Sequence, residues 1–275
     1  MPDIKLIALD LDGTLLNSDK QLTQQNAQAL ACAAARGIEI VPTTGRFFSG
    51  MPEVIRSLPY LHYAITINGA AVYDVRCDAD IARAEIPLPL AVEIMRYLDT
   101  LPVIYDCYMN NWGWMTRAMQ LRADAFAPDE HYLRMIRNLR TPVDDLKSYL
   151  LETGRDVQKI QLFLTDPALR LTLLRQLGGQ FEGLCVSSSV PNNIEINSTD
   201  ANKGEALRKL AAHLGLDISQ TMAFGDGLND LSMLRAAGVG VAMENACPEA
   251  KQAADYVTGS CDESGVAAAI RRFCL

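Results

Sequence analysis

The seven cysteines, Cys32, Cys77, Cys107, Cys185, Cys247, Cys261 and Cys274, include no CxxC pair, and His62, His131 and His213 each stand alone. That spacing excludes a zinc centre, and an odd number of scattered thiols excludes a disulfide framework; they read as core-filling thiols in a reducing cytoplasm. No apolar run reaches the roughly 18 residues a membrane helix needs. The start of the chain, with Asp3 and a short apolar run before Asp10, is not expected to act as a signal peptide. Basic residues are outnumbered, 25 Lys and Arg against 33 Asp and Glu, for a formal net charge of -8. A nucleic-acid partner, which needs clustered cations, is excluded on that ground. There is no GxxxxGK[ST] loop, and an EF-hand counted from Asp10 fails because Leu15 and Gln21 stand where glycine and glutamate are required.

What is present is globular. Of 275 residues, 49% are hydrophobic and 21% charged, enough for a large core and for two domains. Short apolar runs alternate with helix-like stretches at both ends of the chain. Residues 4–10, 38–45 and 63–69 read as strands, with a helix over 23–36 that Thr23 caps and Gly37 stops. Towards the C-terminus, a helix over 203–213, a strand over 221–226, a helix over 230–237 and a strand over 239–243 repeat the style. Such alternation predicts an α/β fold with a doubly wound parallel sheet. Between them, residues 85–190 mix hairpin, helix and strand patterns and read as an inserted α+β domain, leaving 1–84 plus 191–275 as one discontinuous core.

Ligands of open α/β sheets bind beyond the carboxyl ends of the strands. Four such ends here carry polar residues: Asp10, Asp12 and Thr14; Thr43, Thr44, Gly45 and Arg46; Asn68 and Gly69; Gly225, Asp226, Asn229 and Asp230. Lys203 opens the helix before the last of them. Hard carboxylate oxygens suit Mg²⁺, while hydroxyl, amide and ammonium groups at helix starts suit phosphate.

With DLDGTL, TTGR, NGA, the lysine of ANKG and GDGLND in this order, the chain resembles the haloacid dehalogenase superfamily, and more narrowly its Cof-type phosphatases with a large C2-type cap. The resemblance implies a Rossmann-like core and a mobile cap that closes over small phosphorylated metabolites, sugar phosphates foremost. It implies that Asp10 is the nucleophile, forming an aspartyl phosphate, and also a Mg²⁺ ligand. Asp12 would be the general acid and base, with its backbone carbonyl on the metal. Asp226 would be the second carboxylate on the metal and Asp230 its orienter. Leu11, Thr44, Gly45, Lys203 and Asn229 would hold the phosphate. Arg46 and Asn68 are possible substrate contacts, against plainer readings as a solvated charge and a turn residue.

Inside the insertion, Trp112 and Trp114 either floor a ligand pocket or pack their own sheet. Arg134, Arg137 and Arg140 recur at three-residue spacing and read as one solvated helix face. A phosphosugar phosphotransferase or mutase would share every core motif. A non-catalytic phosphosugar sensor would have no need of Asp10 and Asp12 together.

Overall fold

The computed structural model describes residues 3–127, 129–188 and 190–275; the side chain of His131 lies outside those described. The chain divides into two units, Met1–Arg83 with Asn202–Leu275, and Ala84–Ala201.

In the first unit, five parallel strands lie in the order Tyr256–Val257, Val239–Ala242, Thr221–Gly225, Leu6–Leu9, Glu39–Pro42. The central strand LIAL is apolar throughout because it is buried on both faces. Ile7 and Leu9 pack with Leu30 and Ile270, which come from the helices Gln24–Ala35 and Gly265–Phe273. Leu6 and Ala8 pack with Leu207 and Leu210 of the helix Lys203–His213. Helices therefore cover both faces, as a doubly wound sheet requires. Thr23 caps the first helix by accepting from the Asn26 amide, and Gly37 follows its end at φ 79.

The chain runs from Leu6–Leu9 to its neighbour on one side, then resumes on the other side with Thr221–Gly225. This reversal is the topological switch point, and it places the residues following both strands at one crevice. The stretch 63–69 is not a further long strand of the parallel sheet. Tyr63–Thr66 meets it at a parallel bridge between Thr43 and Ile65 and by packing of Tyr63 and Ile65 with Val41, and begins an antiparallel meander with Ala71–Asp74 and Ala79–Arg83.

The second unit is an α+β layer pair. Its six-stranded sheet runs Leu184–Ser187, Asn193–Ser198, Lys159–Phe163, Ile104–Met109, Trp112–Thr116, Arg140–Val143. The side chains of Tyr105, Cys107, Ile160, Leu162, Ile194 and Ile196 share one core with residues of the helices Leu88–Leu98, Leu146–Thr153 and Pro167–Gln180. The expected border at 190 is displaced: Asn193–Ser198 is antiparallel to both Lys159–Phe163 and Leu184–Ser187, so residues up to Ala201 go with this unit.

Arg134 and Arg137 lie exposed on the helix Glu130–Asn138, but Arg140 begins a strand and is buried, its Nε 2.8 Å from Asp106 Oδ2. The arginine spacing predicted a single solvated face because it ignored the helix end at Asn138. Trp112 donates to Thr141 Oγ1 at 2.8 Å, and Trp114 stacks on Tyr149 at 4.6 Å, so both rings are engaged within their own unit. All seven cysteines are free, but only Cys107 and Cys261 are buried; Cys32, Cys77 and Cys185 are exposed and fill no core. No helix among the described residues is long and apolar enough to cross a membrane.

Candidate active site

Asp10 directly follows the central strand, its amide continuing the ladder to the Phe224 carbonyl at 3.0 Å. Its carboxylate is buried and meets Lys203 Nζ at 2.6 Å. Lys203 is the first residue of its helix, which Asn202 caps by accepting from the Glu205 amide. The same ammonium bonds Asp230 Oδ1 at 2.6 Å. The other oxygen of Asp230 accepts from the amides of Asp226 and Gly227, each at 2.9 Å. Both oxygens of Asp230 are thus engaged, and it fixes the turn that carries Asp226.

Asp226 faces Asp10 from the neighbouring strand end. Its Oδ1 accepts from Thr14 Oγ1 at 2.7 Å. Between Asp12 and Thr14, Gly13 takes φ 85, and a Cβ there would stand 2.6 Å from Asp226 Oδ2. Glycine is needed at this position both for the left-handed backbone and for the approach of the carboxylate.

Burial pushes Asp10 up to about 8, against the pull of Lys203 and with help from the charges of Asp230 and Asp226. Asp226 is raised by burial as well, opposed by its bond to Thr14. Carboxyl oxygens of Asp10, Asp226 and Asp230 lie within 4.8 Å of one another with one ammonium among them. The set is short of positive charge and made of hard oxygens, the donor chemistry that a small divalent cation fits.

Asp12 has a different environment. Arg46 grips it with two bonds, Nε to Oδ2 at 3.0 Å and Nη2 to Oδ1 at 3.1 Å, and Lys20 Nζ stands 3.0 Å from Oδ1. Burial would raise its pKa, but Arg46 and Lys20 outweigh it and hold the group below the usual carboxylate range. Arg46 is therefore engaged with Asp12 in this structure. Nothing in the sequence pattern pointed to Lys20, a lysine in a polar turn at φ 61.

Thr44 is buried, and its hydroxyl accepts from the Arg46 amide at 3.2 Å. Thr43 Oγ1 donates to the Val41 carbonyl of its own strand. The loop is held from outside, because the amides of Ile67 and Asn68 donate to the carbonyls of Arg46 and Thr44, each at 3.0 Å. Ile67, Asn68 and Gly69 all have positive φ, at 54, 57 and 96. For a β-branched residue such as Ile67 this is a strained conformation, of the kind that clusters at functional sites. The turn aims Asn68 Oδ1 at Asn229 Nδ2, 3.2 Å away, beside Gly45. Leu11 is fully buried behind the rim. The structure thus brings Asp10, Asp226, Asp230 and Lys203 together, sets Asp12 with Arg46, and joins Asn229 to Asn68.

A family profile described as haloacid dehalogenase-like hydrolase matches residues 7–270. The 5-amino-6-(5-phospho-D-ribitylamino)uracil phosphatase YcsE of Bacillus subtilis is 32% identical over 275 residues, covering 99% of this chain and 97% of that one. The HMP-PP phosphatase of Cronobacter sakazakii is 30% identical over 268 residues, with 96% and 93% covered. A solved haloacid dehalogenase-like hydrolase from B. subtilis superposes with a TM-score of 0.81 at 31% identity, covering 98% of this chain and all of that one, 100%.

Proposed function

The chain belongs to the haloacid dehalogenase-like hydrolases, of the Cof type, and from that premise we propose that it is a Mg²⁺-dependent phosphomonoesterase working through an aspartyl phosphate on Asp10. The observation that carries this reading is the position of Asp10: buried at the switch point, at the end of the central strand, with Lys203 on one oxygen and Asp226 opposite.

Asp10, Asp226 and the backbone carbonyl of Asp12 would hold the metal, which supplies charge neutralisation of the phosphoryl oxygens. In the first step an Asp10 carboxylate oxygen bonds to phosphorus as the ester P–O bond breaks, and Asp12 in its protonated form, which this step requires although Arg46 and Lys20 favour the ionised form in the free protein, gives its proton to the departing alcohol oxygen. In the second, Asp12 takes a proton from water, the water oxygen bonds to phosphorus, and the acyl phosphate P–O bond breaks to restore Asp10. Thr44, Gly45, Asn229 and the Leu11 backbone contact phosphate oxygens, and Lys203 keeps the nucleophile aimed and the local charge balanced. Asp230 orients Asp226. Small phosphorylated metabolites are the substrate class, as the names of the two phosphatase relatives suggest, and sugar phosphates are the first to test.

The test is phosphate release from a panel of phosphomonoesters with Mg²⁺ and with a chelator. Turnover should appear with Mg²⁺ alone, and equal turnover in chelator would refute the reading.

The grip of Arg46 on Asp12 gives a second expectation. Because Arg46 lowers the Asp12 pKa, Arg46→Gln should raise it. Where the second step, which needs Asp12 ionised, limits turnover, the acidic limb of the kcat profile should move to higher pH. Were Arg46 instead a substrate contact alone, KM would rise and that limb would stay in place.

A further inference from the structure

The chelating carboxylate Asp226 is held by a path that ends at a residue outside every motif discussed so far. Asn245 is exposed, yet both ends of its amide are engaged. Its Nδ2 donates to the Gly13 carbonyl at 2.7 Å, and its Oδ1 accepts from the Cys261 amide at 2.9 Å. Gly13 and Thr14 share the peptide whose oxygen Asn245 grips, and Thr14 Oγ1 in turn bonds Asp226. The loop that carries Asn245 also holds the backbone on which Asp226 sits. The Cys247 amide donates to the Asp226 carbonyl at 2.9 Å, and the Met243 amide to the Gly225 carbonyl at 3.2 Å.

The far anchor is itself fixed. Cys261 is buried, and its loop is tied to the N-terminal segment through Asp262, which accepts from both the amide and the hydroxyl of Ser18 at 2.8 Å. Thr23 Oγ1 and Ser264 Oγ lie 2.7 Å apart, which closes the other side of the loop. An amide held at one end by an anchored loop and at the other by a peptide of the catalytic turn transmits position.

We propose that Asn245 is a positioning residue for the cation site, setting the Gly13–Thr14 peptide and through Thr14 the direction of the Asp226 carboxylate. The proposal rests on the reading of that site as a Mg²⁺ site. Groups that orient a metal ligand typically account for 10- to 100-fold in metal affinity when removed.

The test is Mg²⁺ titration by calorimetry, without substrate, on wild type, Asn245→Ala, Thr14→Val and the double variant. Melting temperatures in chelator and in saturating Mg²⁺ separate a lost cation site from a weakened fold. Thr14→Val should bind Mg²⁺ about tenfold more weakly or worse, and Asn245→Ala, one step further from the carboxylate, should lose a smaller but measurable factor. Since both substitutions cut one path, the double variant should bind only slightly more weakly than the weaker single variant. Unchanged affinity in Asn245→Ala, or losses in the two singles that simply add, would overturn the positioning role. A wild-type protein that binds no Mg²⁺ would instead overturn the reading of the site itself.

Discussion

Asp10→Asn should reduce phosphate release by at least roughly 10³-fold, with the protein still folded. The amide keeps the shape of the carboxylate but cannot attack phosphorus, so no covalent intermediate forms and the barrier reverts to that of direct water attack. The same substitution should not weaken the fold. Burial lifts the Asp10 pKa to about 8, above the value near 3.8 that it has when solvated. A carboxyl raised in this way binds its proton more tightly in the folded state. Without metal, therefore, its contribution to stability falls as pH rises from about 4 to about 8. Asparagine carries no such dependence, and Lys203 keeps its bond to Asp230. Metal-free Asp10→Asn should melt no lower than metal-free wild type at pH 8, and the difference between them should shrink towards pH 4. Turnover near the wild-type rate would remove Asp10 from the nucleophile's role; a large fall in melting temperature would mean that the carboxylate is there for the fold.

Lys203→Met should do the opposite, costing stability and activity together. Lys203 is 1% exposed, and its ammonium bonds two buried carboxylates at 2.6 Å each. Its pKa is raised by Asp10 and Asp230 although burial alone would lower it, so it is charged throughout the working range. Removing one partner from a buried ionic cluster costs about 3–5 kcal/mol, because the charges left behind have no solvent to replace it. Because Lys203 draws the Asp10 pKa down to about 8 against burial, its loss should raise that pKa further, and the share of the cost that runs through Asp10 should be larger at about pH 9 than at about pH 7. Denaturant midpoints at the two pH values check this. Equal midpoints for variant and wild type at both would contradict the assigned charge balance.

The legible part of the molecule was the part governed by burial. Strands such as LIAL and TMAFG are apolar along their length because a parallel sheet covers them on both faces, and their abrupt polar ends mark the crevice. That is why Asp10, Asp226 and Lys203 could be placed on one rim from spacing alone. Residues 193–198 were harder, since NIEINS offers alternate isoleucines to whichever core is nearest, and only strand pairing assigns it. Arg140 was misread for a similar reason: its periodicity matches a helix, but the helix stops at Asn138 and the next strand takes the arginine inside. Lys20 and Asn245 left no trace in the sequence. Each is one polar residue in a loop, and its role comes from which distant backbone or carboxylate it meets.

Of all measurements, trapping the covalent intermediate bears most directly on the account. Wild-type protein mixed with Mg²⁺ and a turned-over phosphomonoester, quenched in acid and reduced with borohydride, should yield homoserine in place of aspartate at position 10. Recovery of unmodified Asp10, together with turnover that persists in chelator, would contradict it.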